Sequence, residues 1–205
     1  MRNHPVFLRL EGRRCVIVGR DSAALAKASA CRAAGAEVVV VAPEVYRPGD
    51  LAGAFLAYAS TRDADLIGRL VDEAARERVL LNVADVPAVC TFISPAVVER
   101  GDLQIAIGTG GASPGLAARL RKELEAQVGP EYAPFVAILR AVRTALGGDP
   151  SRAPARGDVI GALLGSPLLD LVRAGRRDEI DALLARVVGD GCSLDRLGVS
   201  LGVTG

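Results

Sequence analysis

Tryptophan is absent and aromatic residues make up 3% of the 205 positions, so the core must be built from Ala, Val, Leu and Ile. His4 is the only histidine, which rules out a multi-histidine metal site of the usual kind; near the terminus it reads as a solvated side chain. Cys15, Cys31, Cys90 and Cys192 are scattered and form no CxxC pair. They suggest neither a zinc knuckle nor a disulfide framework, and read as reduced thiols in a reducing compartment. Lysine is confined to Lys27 and Lys122, and a biased genome explains the arginine excess more cheaply than phosphate recognition does. With 25 Lys plus Arg against 24 Asp plus Glu, the net charge of +1 gives nucleic acid no global footprint. Long apolar runs are missing too: the best, residues 38–42, falls far short of the ~20 residues of a spanning helix. Arg2, His4, Arg9, Glu11, Arg13 and Arg14 leave no apolar core for a signal peptide, so the expected place is the cytoplasm, away from the membrane. What remains is an ordinary globular balance, 50% hydrophobic and 24% charged, with length for one domain or one and a half.

Arg14-Cys-Val-Ile-Val-Gly19 is a short apolar run ending in glycine, followed by an Ala-rich helix pattern over residues 22–34 with Ala24, Ala28 and Cys31 on one face. Gly35 closes that helix, and Glu37-Val-Val-Val-Val-Ala42 has too little polar alternation for a half-exposed strand, so a buried parallel strand is expected. Strand, helix and strand within this stretch make a βαβ unit, the beginning of a Rossmann-type domain. Further strands are expected at 54–59, 79–83 and 103–108, the last continuing the same sheet, with a helix over 63–76. Ser113 and Pro114 are good N-cap and N1 residues for a helix to about 128, with Leu116, Leu120 and Leu124 on one stripe. From there the strands stop: a helix over 131–146, a Gly/Pro/Arg-rich linker over 147–157, three short helices, and a frayed tail from 199. The pattern is α/β, a Rossmann-like parallel sheet with helical additions.

Several residues sit where chemistry is expected. Gly19-Arg-Asp-Ser-Ala-Ala24 occupies the place of a G-x-G-x-x-G turn but has Asp21 for the middle glycine, adding like-charge repulsion toward a pyrophosphate. The turn reads either as a dinucleotide site or as a plain βα turn with Ser22 as N-cap. Glu44, in Ala42-Pro43-Glu44, is the only carboxylate near the place of an adenosine ribose. Asp85 lies just past a strand, where open α/β sheets bind ligands, and is either an acid, base or ligand, or a turn aspartate before Pro87. Gly110-Gly111 before the Ser113 helix start offers N–H groups for an anion. Arg119, Arg121 and Lys122 either bind carboxylates or form i,i+4 pairs with Glu123 and Glu125.

Taken together, Pro5-Val-Phe-Leu, Val16-Ile-Val-Gly19, Lys27, Val41-Ala-Pro-Glu44, Asp50-Leu-Ala-Gly-Ala-Phe55, Asn82-Val-Ala-Asp85, Phe92-Ile-Ser-Pro-Ala96 and Thr109-Gly-Gly-Ala-Ser-Pro114 resemble the N-terminal module of siroheme synthases, the precorrin-2 dehydrogenase and sirohydrochlorin ferrochelatase family. The resemblance implies NAD-dependent oxidation of precorrin-2, then insertion of ferrous iron as a substrate, in a homodimer. It implies an NAD-binding-type domain over 1–112, a helical dimerisation segment over 113–150 and a C-terminal helical segment over 151–205. Asp85 matches the family's aspartate assigned to both steps, as proton acceptor in oxidation and as an aid to pyrrole deprotonation in chelation. Gly19, Ser22, Ala23, Pro43 and Glu44 match its NAD contacts, and Thr109 a hydroxyl position that can be phosphorylated. The flat tetrapyrrole bears eight carboxylates, which suits an arginine-lined cleft and needs no histidine or cysteine cage for its metal.

Two departures fall on the NAD site. Arg20 and Asp21 replace family glycines, and roughly twenty residues of a helix-and-strand crossover element are missing between Glu44 and Asp50. An NAD-independent chelatase or a non-enzymatic tetrapyrrole carrier is therefore the alternative, and neither departure touches Asp85.

Overall fold

The computed structural model describes residues 3–147 and 153–202, and the chain divides into two units, Met1–Ser94 with Gly110–Ala112, and Pro95–Thr109 with Ser113–Gly205. In the first unit the run Arg14-Cys-Val-Ile-Val becomes β1 (Arg14–Val18), with Cys15, Val16, Ile17 and Val18 fully buried. It is followed by α1 (Ser22–Ala33), β2 (Glu37–Val41), β3 (Leu56–Ala59), α2 (Ala64–Glu77) and β4 (Leu80–Val83). The four strands form one parallel sheet in the order β2-β1-β3-β4. Alternation sorts the side chains: Cys15, Ile17 and Leu56 pack under Ala24, Ala28 and Cys31 of α1. Val16, Val18, Ala57, Leu81 and Val83 pack with Leu66, Leu70 and Ala74 of α2. Leu66 and Leu70 are fully buried, each stabilising the unit by about 1.5–3 kcal/mol relative to exposure. Cys15 and Cys31, distant in sequence, meet in this core as free thiols, and burial pushes the Cys15 thiol up to about 12.

Two strand expectations are corrected. β2 is parallel, but it is the edge strand rather than a buried one, and Val39 and Val40 remain exposed. Among the described residues no further strand pairs with that edge. The strand at 103–108 does not continue the parallel sheet: β6 (Leu103–Ile107) pairs antiparallel with β5 (Ala96–Arg100) in a separate two-stranded sheet, with Arg100 opposite Leu103. Gly101, at φ +58, and Asp102 make the two-residue turn, a Gly-Asp signal that favours a hairpin over a crossover.

The connection from β2 to β3, residues 42–55, carries only a 3-10 turn at Pro43–Val45 and is fastened by one buried carboxylate. Glu73 of α2 is 3% exposed. It accepts from the Tyr46 hydroxyl at 2.7 Å and from the backbone N–H groups of Leu51 at 2.8 Å and Gly49 at 2.9 Å. Burial pushes its carboxyl up, but these hydrogen bonds, with Arg76 nearby, outweigh burial and hold it below the ordinary value. Tyr46 and Leu51 are thereby drawn into the core over α2.

The second unit adds α3 (Pro114–Gln127), α4 (Tyr132–Ala145), α5 (Ala153–Leu164), α6 (Leu168–Arg173), α7 (Arg177–Val188) and α8 (Leu194–Leu197) to the hairpin. Its core gathers Phe135, Ile138, Val142, Leu163, Leu168, Ile180, Leu184 and Leu194. Ser113 caps α3 by accepting from Leu116 N–H, and Gly175, at φ +66, follows α6. Helix α5 begins inside the stretch expected as a linker; residues 148–152 of that stretch, and 203–205 of the expected tail, lie outside the described residues. No helix among the described residues is long and apolar enough to cross a membrane.

Candidate active site

In the first unit all four strands point their carboxyl ends at one edge, where the turns after β1, β2, β3 and β4 gather Gly19–Asp21, Pro43–Glu44, Ser60 and Asp85. The strand order reverses between β1 and β3, and such a switch point is where open α/β sheets leave a crevice for a ligand. Gly19, at φ +148, lines it because nothing larger fits: an added Cβ would lie 2.9 Å from the Ala24 Cβ and 3.2 Å from the Ser60 carbonyl oxygen. Ser22 is not the N-cap. Asp21 takes that role, accepting from Ala24 N–H at 2.8 Å, because its carboxylate lies one residue outside the helix and reaches back to the third residue of α1. Its other oxygen accepts from the Ser60 hydroxyl at 2.5 Å, so the side chain spans the crevice from the β1 turn to the β3 turn. The hydrogen bond from Ser60, and then that from Ala24, holds this carboxyl below the usual range.

The edge nonetheless fits a dinucleotide. Gly19 keeps the turn tight, the side chain of Ala23 is small, and Ser22 and Ala23 stand where N–H groups have no carbonyl of their own helix to bond. Asp21 is exposed, so side-chain rotation clears the crevice at the loss of two hydrogen bonds. Glu44 projects from the turn after β2 with its Oε1 3.2 Å from Nη1 of Arg20.

Asp85 stands apart from this pair. It follows β4 with φ +60, and Arg78, which ends α2, is the only other non-glycine residue with positive φ among the described residues. The side chain is exposed and caps nothing, accepting no hydrogen bond among the described residues. A non-glycine residue held in left-handed backbone is strained by about 1–3 kcal/mol, and such strain collects at functional sites. The turn that imposes it is held by Cys90, whose Sγ accepts from Val83 N–H at 3.2 Å and lies 3.3 Å from the carbonyl oxygens of Val83 and Val86. Reading the cysteines by spacing alone missed this role.

Beside these turns lies a cavity of about 50 Å³ whose lining includes Ala23, Lys27, Tyr58, Ser60, Asn82 and Ala84. Lys27 reaches from α1 over the Tyr58 ring, 5.2 Å from its centroid, and burial lowers the pKa of its ammonium. Tyr58 and Asn82 are register partners on one face of the sheet, polar tips in otherwise apolar strands, and that interruption was their signal.

In the second unit, Thr109 closes its own loop, donating to the Ser113 carbonyl at 3.1 Å and accepting from Ser113 N–H at 3.2 Å. Gly110 and Gly111, which are grouped with the first unit, both have positive φ, the conformation their turn demands. Arg119 and Arg121 pair with Glu123 and Glu125, each at 2.7 Å, so the i,i+4 alternative holds for both.

Comparison with known proteins meets this geometry. Residues 6–96 match the family described as putative NAD(P)-binding, and residues 100–127 the family described as sirohaem biosynthesis protein central. The chain is 32% identical over 207 residues to the siroheme synthase of Thioalkalivibrio sulfidiphilus, covering 91% of this chain and 42% of that one. It is 34% identical over 165 residues to the siroheme synthase of Methylobacillus flagellatus, covering 71% and 35%. Over most of its length the chain is thus similar to siroheme synthases. It spans less than half the length of these relatives. A solved precorrin-2 dehydrogenase, SirC, shares the fold with a TM-score of 0.71 at 22% identity, covering 90% of this chain and 98% of that chain. Of the siroheme synthase blocks noted in the sequence, those that carry Gly19, Glu44 and Asp85 fall on the sheet edge, within the stretch that matches the NAD(P)-binding family.

Proposed function

We propose that this chain is an NAD-dependent precorrin-2 dehydrogenase that also inserts ferrous iron into sirohydrochlorin, with Asp85 as its acid–base residue. The observation that carries the reading is an exposed, unpaired aspartate held in left-handed backbone at the carboxyl edge of a nucleotide-binding sheet. Gly19, Ser22 and Ala23 would hold the pyrophosphate, and Pro43 with Glu44 the adenosine end. Bound NAD supplies the hydride acceptor. Asp85 accepts the ring proton at a carboxylate oxygen as the tetrapyrrole is oxidised, and its oxygens accept no hydrogen bond among the described residues. In the second step ferrous iron enters as substrate and two ring N–H protons leave as the ring nitrogens receive the metal, one to the same carboxylate, which has released its first proton to water, and the other to water. The substrate's carboxylates call for cations, and Lys27 beside the cavity carries none of the ion pairs found among the described residues. The test is protein-dependent formation of NADH from precorrin-2 and NAD+.

The crevice makes a separate prediction. Replacing Asp21 with Gly removes the carboxylate from Ala24 N–H and Ser60 and the repulsion toward the pyrophosphate, so NAD+ should bind about tenfold more tightly by calorimetry. Equal or weaker binding would mean that Asp21 does not compete with the cofactor.

The chain acts as a homodimer in this reading, supported by the α3 stripe on which Leu116 is exposed and Leu120 and Leu124 are only half-buried. Light scattering at micromolar concentration should give twice the chain mass of 21.2 kDa, and a monomeric mass contradicts it.

A further inference from the structure

The dinucleotide reading above leaves open which dinucleotide, and the residues at the end of β2 bear on that choice. In sheets of this kind a carboxylate after the second strand hydrogen-bonds the ribose 2′-hydroxyl of NAD, whereas an arginine nearby accommodates the 2′-phosphate of NADP. This chain places both at one point. Val18 is paired with Val41, so the turn after β1 and the turn after β2 leave the sheet side by side and bring Arg20 to Glu44. The side chains are 69% and 63% exposed, reachable by a ligand and costing little to separate.

A lone carboxylate repels a 2′-phosphate, which is how the NAD-type site refuses NADP. Here the guanidinium lies against that carboxylate and offsets its charge. Arg20 bonds Glu44 through Nη1 alone, and its Nε and Nη2 donate to no acceptor among the described residues, leaving the donors a phosphate would take. We infer that Arg20 and Glu44 together form a two-way ribose site, so that this chain accepts NADP+ as well as NAD+, Arg20 taking the 2′-phosphate and Glu44 the 2′-hydroxyl. Asp21 weighs equally on both cofactors, because they are identical at the pyrophosphate. The ratio of their affinities therefore isolates the pair.

The test is calorimetric titration of the whole chain with NAD+ and NADP+ at one ionic strength, for the parent, Arg20→Gly and Glu44→Gln. The parent should bind the two within about tenfold of each other, and Arg20→Gly should raise the NADP+ to NAD+ ratio of Kd values by about tenfold or more. Glu44→Gln should move the ratio the other way. Both side chains are exposed, so neither substitution threatens the fold. NAD+ binding with NADP+ weaker by more than about tenfold in the parent, or a ratio that Arg20→Gly leaves in place, overturns this inference alone. Binding of neither dinucleotide overturns the NAD reading itself, and the inference with it.

Discussion

Replacing Asp85 with Asn should lower the rate of precorrin-2 oxidation by about 10²- to 10⁴-fold, the contribution expected of a positioned acid–base group. The amide keeps the size of the side chain and tolerates left-handed backbone nearly as well as aspartate does, so the thermal midpoint should stay within a degree or two of the parent's. Asp85→Gly sharpens the comparison. At φ +60 glycine relieves the backbone, so this variant should be at least as stable as the parent while losing the same rate. A residue kept only for its turn would give the opposite pattern, with activity preserved in the glycine variant. Rates measured beside melting curves separate the two, and an unchanged rate in either folded variant removes Asp85 from the mechanism.

The second large effect concerns stability. Glu73→Ala should destabilise the first unit by about 3 kcal/mol, because it strands the Tyr46 hydroxyl and the N–H groups of Leu51 and Gly49 without their acceptor. Glu73→Gln keeps one acceptor oxygen and should cost about half as much. Urea midpoints report both, and a loss below about 0.5 kcal/mol for Glu73→Ala would mean that the short connection is held by packing alone. The pH dependence follows from the direction of the shift. A carboxyl lowered in the folded state contributes stability that is present above the ordinary value of 4.5 and is lost as pH falls through the lower folded value. The parent should therefore lose stability on acidification below that range more steeply than Glu73→Gln.

Local signals carried much of the fold. The apolar run of β1, the alanine face of α1 and the Ser113-Pro114 start of α3 are each written in neighbouring residues, and each forms where its spacing and capping place it. Pairing was less legible, because the partner of a strand lies elsewhere in the chain. The four consecutive valines of β2 read as a buried strand, but the strand ends the sheet order and stands at an edge. At Leu103 the apolar run marks a strand, but its partner is set by the Gly101-Asp102 turn that folds it back on Ala96–Arg100. Glu73 had a signal too: it follows Leu66 and Leu70 on the stripe that Ala74 completes, so a carboxylate on that face had to find donors. The position of Asp85 after a strand was legible from order alone, whereas its backbone strain and the thiol bracket from Cys90 depend on the folded turn. Serine is an equally good cap one residue later, so the local sequence does not distinguish Asp21 from Ser22 as the cap of α1. The Ser60 hydroxyl across the switch point, far along the chain, completes the pair of bonds that holds Asp21 there.

The most direct test of the account is an anaerobic assay of freshly made precorrin-2 with NAD+, following NADH formation with and without the protein. The account predicts turnover that depends on the protein and falls with Asp85→Asn. Intact substrate giving no NADH above the protein-free rate would contradict it.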